Sequence, residues 1–383
     1  MLFQNLPQFV LTYLRFAKFT CRTFCHRSTK RKKLTTESTR LQKELIDKKS
    51  VSRAKRNDYL YIKNTKDAEC VASYLCRDWM KGYILEANPG PGALTKAILN
   101  NGVAYLRVFE KQEEFLPALK ELSLKYSNLD IVSDDMMFLP SLEARLSTNE
   151  SSSLDSFFSD IPECAWEGGI SFRFFSIIYG KRCIKFLRYL LAVLPNKGSL
   201  FSLGRCEFFL IIPENEYLYM LAEPKLNFAR YRWVTVLYRV FFDIQFLEKF
   251  SPEILHSAVS HRKKAMKERN FYLMKLTPRP DLFSFIVNGN RLPDFYFFVR
   301  HHLIKRTGLV IPTLEGWIPS CGPRLIKEGM HFFTKFGDLS PKQILELFNQ
   351  FSSWPEYEDS SFCTALQRYY GKCPLSFEED SNV

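Results

Sequence analysis

The run Ile84-Leu-Glu-Ala-Asn-Pro-Gly-Pro-Gly-Ala-Leu-Thr95 limits the possible folds more than any other segment. A short apolar stretch, Gly82 to Ala87, leads into the turn cluster Asn88-Pro-Gly-Pro-Gly92, and a helical pattern follows from Ala93 to Asn100. The alternation then repeats: Val103 to Phe109 reads as a strand, Gln112 to Leu124 as a helix, Leu129 to Val132 as a strand. Strands separated by single helices at such short intervals pair in parallel, because each helix carries the chain back across the sheet, so an α/β fold is expected. Ile170 to Tyr179, Gly198 to Leu203, Glu207 to Ile212, Tyr238 to Phe246 and Phe271 to Leu276 read as further strands, with a basic helix over Lys181 to Leu194. Beyond Pro278 and Pro280 the pattern is helical: Phe295 to Thr307, Pro323 to Phe336, and Ser340 to Phe351, where Ser340-Pro341 reads as an N-cap followed by proline.

Charge and composition divide the chain further. Lysine and arginine number 54 against 41 acids, a net +13, which suggests a polyanionic partner. Part of that surplus is local. Arg15, Lys18, Arg22, Arg27 and Lys30 to Lys33 precede the first acid, Glu37, and alternate with apolar residues, the composition of a mitochondrial presequence over 1–36. No stretch approaches the roughly 20 apolar residues of a membrane span, so no membrane insertion is expected. The ten cysteines include no C-x-x-C pair, and the histidines do not fall near them at zinc-ligand spacing, so no metal site is expected. The 35 phenylalanines supply a sizeable core. The expected divisions are the presequence, a lead-in helix or linker over 37–81, an α/β domain over 82–280, a helical domain over 281–353 and an acidic tail over 354–383. Ser147 to Ser153 reads as a surface loop.

The candidate site residues sit where the strands end. Gly90 and Gly92 lack a Cβ, so a ligand can lie against the backbone, and the helix beyond offers free N–H groups. There is no G-K-[ST] sequence, which excludes a Walker A loop. Glu86 ends the first strand, Glu110 the second and Asp134 the third. A carboxylate at the second strand end can accept both hydroxyls of a ribose. One at the third could take an adenine amino group. Together the three acids form an adenosine-binding set.

These residues resemble the S-adenosylmethionine site of the rRNA adenine N6-dimethyltransferases, and more closely that of their mitochondrial descendants, the mitochondrial transcription factor B proteins, in particular the second type. The likeness rests on Glu86-Ala-Asn-Pro-Gly-Pro-Gly92, continues through Leu203-Gly-Arg-Cys-Glu207 and Tyr272-Leu-Met-Lys-Leu-Thr-Pro-Arg-Pro-Asp-Leu-Phe283, and ends near Leu339-Ser-Pro-Lys342. It implies a seven-stranded Rossmann-like S-adenosylmethionine methyltransferase domain followed by a small C-terminal helical domain. It also implies action with the mitochondrial RNA polymerase at promoter DNA, in the matrix nucleoid, by a monomer. Small-subunit rRNA is the alternative partner. On this likeness Glu86, Asn88, Gly90, Gly92, Glu110 and Asp134 line the cofactor site.

The departures carry as much as the matches. Active relatives read E-x-G-x-G-x-G, and Asn88 replaces the first glycine, where its side chain would crowd the cofactor. The family's catalytic N-[IL]-P-[YF] falls on Ser176-Ile-Ile-Tyr179, so Tyr179 keeps the aromatic ring while Ser176 and Ile178 replace Asn and Pro. A serine hydroxyl cannot offer the carbonyl and amino group of a carboxamide together, so weak or absent methyl transfer and a vestigial cofactor are expected. Four basic clusters remain: Lys181 to Arg188, Arg230 to Arg239 interleaved with Tyr231, Trp233 and Tyr238, His261 to Arg269, and Arg300 to Arg306. Arg262, Lys263, Lys264, Lys305 and Arg306 are the expected nucleic-acid contacts, with aromatics available to stack on bases once strands separate.

Overall fold

The computed structural model describes residues 59–79, 82–140, 157–256, 270–284, 286 and 291–372. The presequence, the Ser-rich loop, the contacts expected at Arg262, Lys263 and Lys264, and the end of the acidic tail lie outside the described residues.

The chain enters through β1 (Tyr61–Ile62) and α1 (Thr65–Cys76), whose N-cap Asn64 accepts the Asp67 N–H at 2.8 Å. Next come β2 (Tyr83–Ala87), α2 (Ala93–Asn100), β3 (Tyr105–Phe109), α3 (Leu116–Lys125) and β4 (Leu129–Val132). The second half adds β5 (Ile170–Ile177), α4 (Gly180–Val193), β6 (Arg205–Pro213), α5 (Glu214–Met220), α6 (Trp233–Phe241), β7 (Phe242–Phe250), β8 (Leu255–His256) and β9 (Phe271–Pro278). Seven strands form one sheet in the order β4-β3-β2-β5-β6-β9-β7. The first five run parallel, and β9 is antiparallel to both β6 and β7. This is the expected α/β architecture with a mostly parallel central sheet.

Alternate residues of each strand feed opposite layers. Ile84, Leu106, Val108, Phe175, Ile177 and Phe209 join α1 and α2 in one apolar core. Leu85, Phe109, Phe172, Phe174, Phe208 and Leu210 join α4 and α6 in the other. Both faces are therefore covered, which explains why the central strands β5 and β6 are buried along nearly their whole length. Helix α1 falls in the segment expected as a lead-in, and it is part of the sheet's covering: Ala68, Val71, Ala72 and Leu75 are fully buried.

Arg173 on β5 fastens α1 to the sheet. Its guanidinium donates to Glu207 on β6 at 2.7 Å and to the Leu75 and Arg77 carbonyls at 2.7 Å each, and it stacks on Trp79 at 4.5 Å. Glu207 also accepts from Lys275 of β9 at 3.2 Å, so one buried ion network spans three strands and a helix end.

The C-terminal helices are α7 (Leu292–Ile304), α8 (Val310–Glu315), α9 (Gly322–Lys327), α10 (Pro341–Ser353) and α11 (Ser361–Lys372). Their apolar sides belong to the same core as α4 and α6, so apolar packing is continuous from the sheet to the last helix. Helix α11 lies within the segment expected as an acidic tail. It forms because Tyr357, Phe362, Cys363 and Leu366 reach that core.

Three local expectations differ. Gly198 to Leu203 is a 3₁₀ turn over Ser199–Leu203, ended by Gly204 at φ 107°, where a Cβ would lie 2.4 Å from the Cys164 carbonyl oxygen. Tyr238 to Phe246 divides at Phe242 into the end of α6 and the start of β7. Pro323 to Phe336 is helical only to Lys327, and Gly329 at φ 91° turns the chain out of the helix. Ser340 does cap α10, accepting the Gln343 N–H at 3.3 Å with Pro341 at the first position.

Candidate functional site

In the sheet order, β4, β3, β2 and β5 are consecutive, so their carboxyl ends form one edge. The order of strand addition reverses between β2 and β5: β3 and β4 extend the sheet one way from β2, and β5 and β6 the other. Open α/β sheets bind ligands in the crevice at such a switch point. Glu86, Glu110, Asp134, Ser176 and Tyr179 all fall on this edge.

Glu86 is fully buried at the end of β2, and its Oε2 accepts the Thr95 hydroxyl of α2 at 2.8 Å. Burial pushes its carboxyl up to about 8, Thr95 pulls it back in part, and Glu110 adds a push upward. Glu110 is equally buried, and it fixes the glycine loop: Oε2 accepts the Gly90 N–H at 3.0 Å and Oε1 the Gln112 N–H at 2.7 Å. Burial raises it to about 7 against the pull of those backbone donors. Each carboxylate oxygen has a second lone pair, so Glu110 keeps capacity for a diol.

Asn88 takes the left-handed conformation that a glycine would, at φ 57°. Among residues with a side chain, Asn tolerates that region best, so the loop keeps its path without the glycine. Its N–H is held by the Phe109 carbonyl at 2.9 Å. Its Oδ1 is buried and has no hydrogen-bond partner among the described residues. Gly90, at φ 62°, has the Tyr61 ring against it: a Cβ there would lie 2.6 Å from the Tyr61 Cγ. Gly92, at φ 85°, opens α2 and faces Leu119 and Leu122 of α3, which a Cβ would meet at 3.0 and 3.1 Å. Of the two glycines, Gly92 is therefore required by helix–helix packing.

At the end of β4 the two adjacent aspartates differ. Asp134 is one-third exposed and lies 3.7 Å from the Lys111 ammonium. Asp135 is fully buried: it caps the 3₁₀ turn Met136–Phe138 through the Met137 N–H at 3.0 Å and accepts the Tyr59 hydroxyl. Ser176 is buried near the end of β5, beside Leu210 of β6. Tyr179 follows as the N-cap of α4, half-buried, its ring 6.2 Å from Phe271. Lys181, Lys185 and Arg188 are exposed on α4, which starts at this edge.

Other basic residues have internal duties. Arg306 donates to the Tyr231 carbonyl at 3.2 Å and stacks on Phe228 at 4.4 Å, while Lys305 beside it is exposed. Arg239 pairs with Glu223, and Arg300 with the Tyr369 hydroxyl. The aromatics Tyr231 and Tyr238, expected to be open for stacking, are core residues whose hydroxyls donate to the Leu339 and Leu187 carbonyls at 2.7 and 2.8 Å. Among the described residues, no group of three His, Cys, Asp or Glu side chains gathers as metal ligands would, and no helix is long and apolar enough to cross a membrane.

The sequence profile of ribosomal RNA adenine dimethylases matches residues 60–352, which includes every strand and the whole edge just described. The chain belongs to that family. Within it, the chain is 28% identical to the mitochondrial dimethyladenosine transferase 2 of Drosophila melanogaster, over 92% of this chain and 88% of that one. Identity to the mouse protein of the same name is 29% over 61% of each chain. Among solved structures, a dimethyladenosine transferase from Plasmodium falciparum covers 76% of this chain and 97% of its own at a TM-score of 0.52 and 13% identity. The 23S rRNA methyltransferase ErmE covers 76% of this chain and all of its own at 0.50 and 17%. These two likenesses bear on the fold alone. The named relatives are mitochondrial, and this family member is a mitochondrial protein.

The residues that sequence reasoning passed over are Thr95, Tyr61, Tyr59 and Asp135. Thr95 lay in the quoted segment, but its bond to Glu86 depends on the helix turning back over the strand. Tyr61 and Tyr59 reach the edge from a segment with no motif.

Proposed function

We propose that this chain is a mitochondrial transcription initiation factor that helps the mitochondrial RNA polymerase open promoter DNA, with the methyltransferase fold used to hold nucleic acid. The observation that carries the reading is the end of β5. On the family likeness, Ser176 and Ile178 stand where the motif has Asn and Pro, and both are buried. Without the carboxamide, an adenine amino group loses the group that would hold it for transfer. Tyr179 remains as an aromatic surface, and Lys181, Lys185 and Arg188 extend a positive track from it along α4. Separating strands costs about 1.4 kcal/mol per base-pair step. Stacked bases return about 1–3 kcal/mol each, so a few held bases offset a short bubble.

A second reading, N6,N6-dimethylation of adenines in small-subunit rRNA, is favoured by the intact acids of the edge. The residues fit S-adenosylmethionine: Glu110 would hold the ribose hydroxyls, Asp134 the adenine amino group, and the orphaned Asn88 Oδ1 would accept from a cofactor ammonium or hydroxyl. The cofactor supplies an electrophilic methyl group when bound. This chain's part would be to bind and orient it, and at Ser176 the orienting group for the acceptor base is the one that has changed.

Run-off transcription with the cognate polymerase separates the readings. Strong stimulation on duplex promoters and little on pre-melted ones is the expected result. Stimulation of neither would overturn the initiation role. Labelled methyl incorporation into a small-subunit rRNA hairpin is expected to stay far below that of a family member with the intact Asn-Pro motif, and equal rates would bring the enzyme reading to the front.

A further inference from the structure

We infer that the loop between α9 and α10 is a second nucleic-acid contact, where Phe332 and Phe333 stack on unpaired bases while Lys305, Lys327 and Lys335 hold the adjoining phosphates. Phe332 and Phe333 are 50% and 67% exposed, although the chain buries most of its other phenylalanines. Their rings meet edge to face at 5.4 Å and 88°, so they present faces in two directions. The loop is held in shape. The Phe333 N–H donates to the His331 ring at 3.2 Å, the Thr334 carbonyl accepts the Val310 N–H at 2.9 Å, and Leu309 and Lys335 form a β-bridge. Those ties bring the 305–309 segment beside the loop, and with it Lys305. The three lysines are exposed, and none pairs with a carboxylate among the described residues. Glu328 and Asp338 are the exposed acids of the same stretch, and Asp338 accepts the Lys335 backbone N–H at 3.1 Å, leaving the ammonium free of it.

Single-stranded nucleic acid is the occupant that matches both features. Every unpaired base has a π-face, and every nucleotide brings a phosphate within reach of an ammonium. A stable protein interface needs about 800 Å² per partner with an apolar centre, more than two phenyl rings among lysines offer. The inference goes beyond the initiation role and would hold equally for a chain that binds rRNA.

The test is fluorescence anisotropy of the full chain with labelled 12-nucleotide dT and U oligomers and with a duplex of equal length. Phe332→Ala/Phe333→Ala should weaken binding of the single strands about tenfold or more, change the duplex little and leave the salt slope intact. Lys335→Ala should flatten the single-strand salt slope by about 0.7. Both positions are exposed, so matching thermal melts confirm that the variants fold. Preference for U over dT identifies RNA as the ligand, and the reverse identifies DNA. Unchanged single-strand affinity in the double variant overturns the inference. If that variant instead loses only run-off stimulation, the loop contacts the polymerase and the initiation role survives without it.

Discussion

Arg173→Ala should cost about 3–5 kcal/mol of folding stability, the usual result of removing one partner from a buried ion pair. The arginine is 9% exposed and Glu207 7%, so neither can turn to water. Alanine would strand the Glu207 carboxylate with Lys275 and Thr277 as its remaining partners, and would leave the Leu75 and Arg77 carbonyls without their donor. It would also remove the stacking on Trp79, at the end of α1. Arg173→Lys should recover only part of the loss, because an ammonium cannot replace the planar fork that serves three acceptors at once. Urea unfolding followed by far-ultraviolet circular dichroism measures both. A loss below about 1 kcal/mol for the alanine variant would show that the network is relaxed by water.

The second large effect is on pH. Glu86 and Glu110 hold their protons up to about 8 and about 7 in the folded chain, against an ordinary value of 4.5. Between those limits the folded state binds more protons than the unfolded one, so stability falls as pH rises. His302, buried and held well below its usual range, acts in the opposite sense, but only below about 6.5. The interval from pH 6.5 to 8 therefore isolates the carboxyls. At about 1.4 kcal/mol per tenfold change in proton affinity, a loss of about 2 kcal/mol is expected there, and the fall continues above pH 8, where Glu86 finishes ionising and the buried thiols Cys76 and Cys321, also pushed up, add to it. Glu86→Gln keeps an acceptor for Thr95 and should remove most of that slope. Equal slopes for the two proteins would show that Glu86 is ionised throughout.

Both effects come from places where the sequence is legible in part. The parallel half of the sheet was readable because β2, α2 and β4 each have a clean period and a clear stop, and the glycine turn ties two of them together. Where two elements meet without a turn, as at Phe242, nothing in the local pattern marks the change, and the packing of α6 against α7 and α10 decides it. The edge was legible for Glu86 and Glu110 because an acid ending an apolar strand is conspicuous. It was not legible for Asp135, since the burial that separates it from Asp134 depends on Tyr59, some 76 residues earlier. Basic and aromatic residues in alternation suggested a stacking surface at 230–239, but the tyrosines there face the core. Alternation shows which residues share a face and leaves open whether that face meets solvent.

The placing of β9 between β6 and β7 also sets an order of events. Within the large sheet β7 has hydrogen bonds to β9 alone, so until residues 271–278 arrive it has no strand to join. A chain that crosses into the mitochondrion N-terminus first can assemble β2 to β6 while β7 waits and β6 shows a bare edge. The closing step pairs Phe208 with Leu276, far apart in sequence, and such long-range closures are slow. A bare, apolar β6 is a template for the wrong strand. The newly imported chain is therefore most vulnerable just before its last strand slides into the gap, and a chaperone would protect it best at that edge.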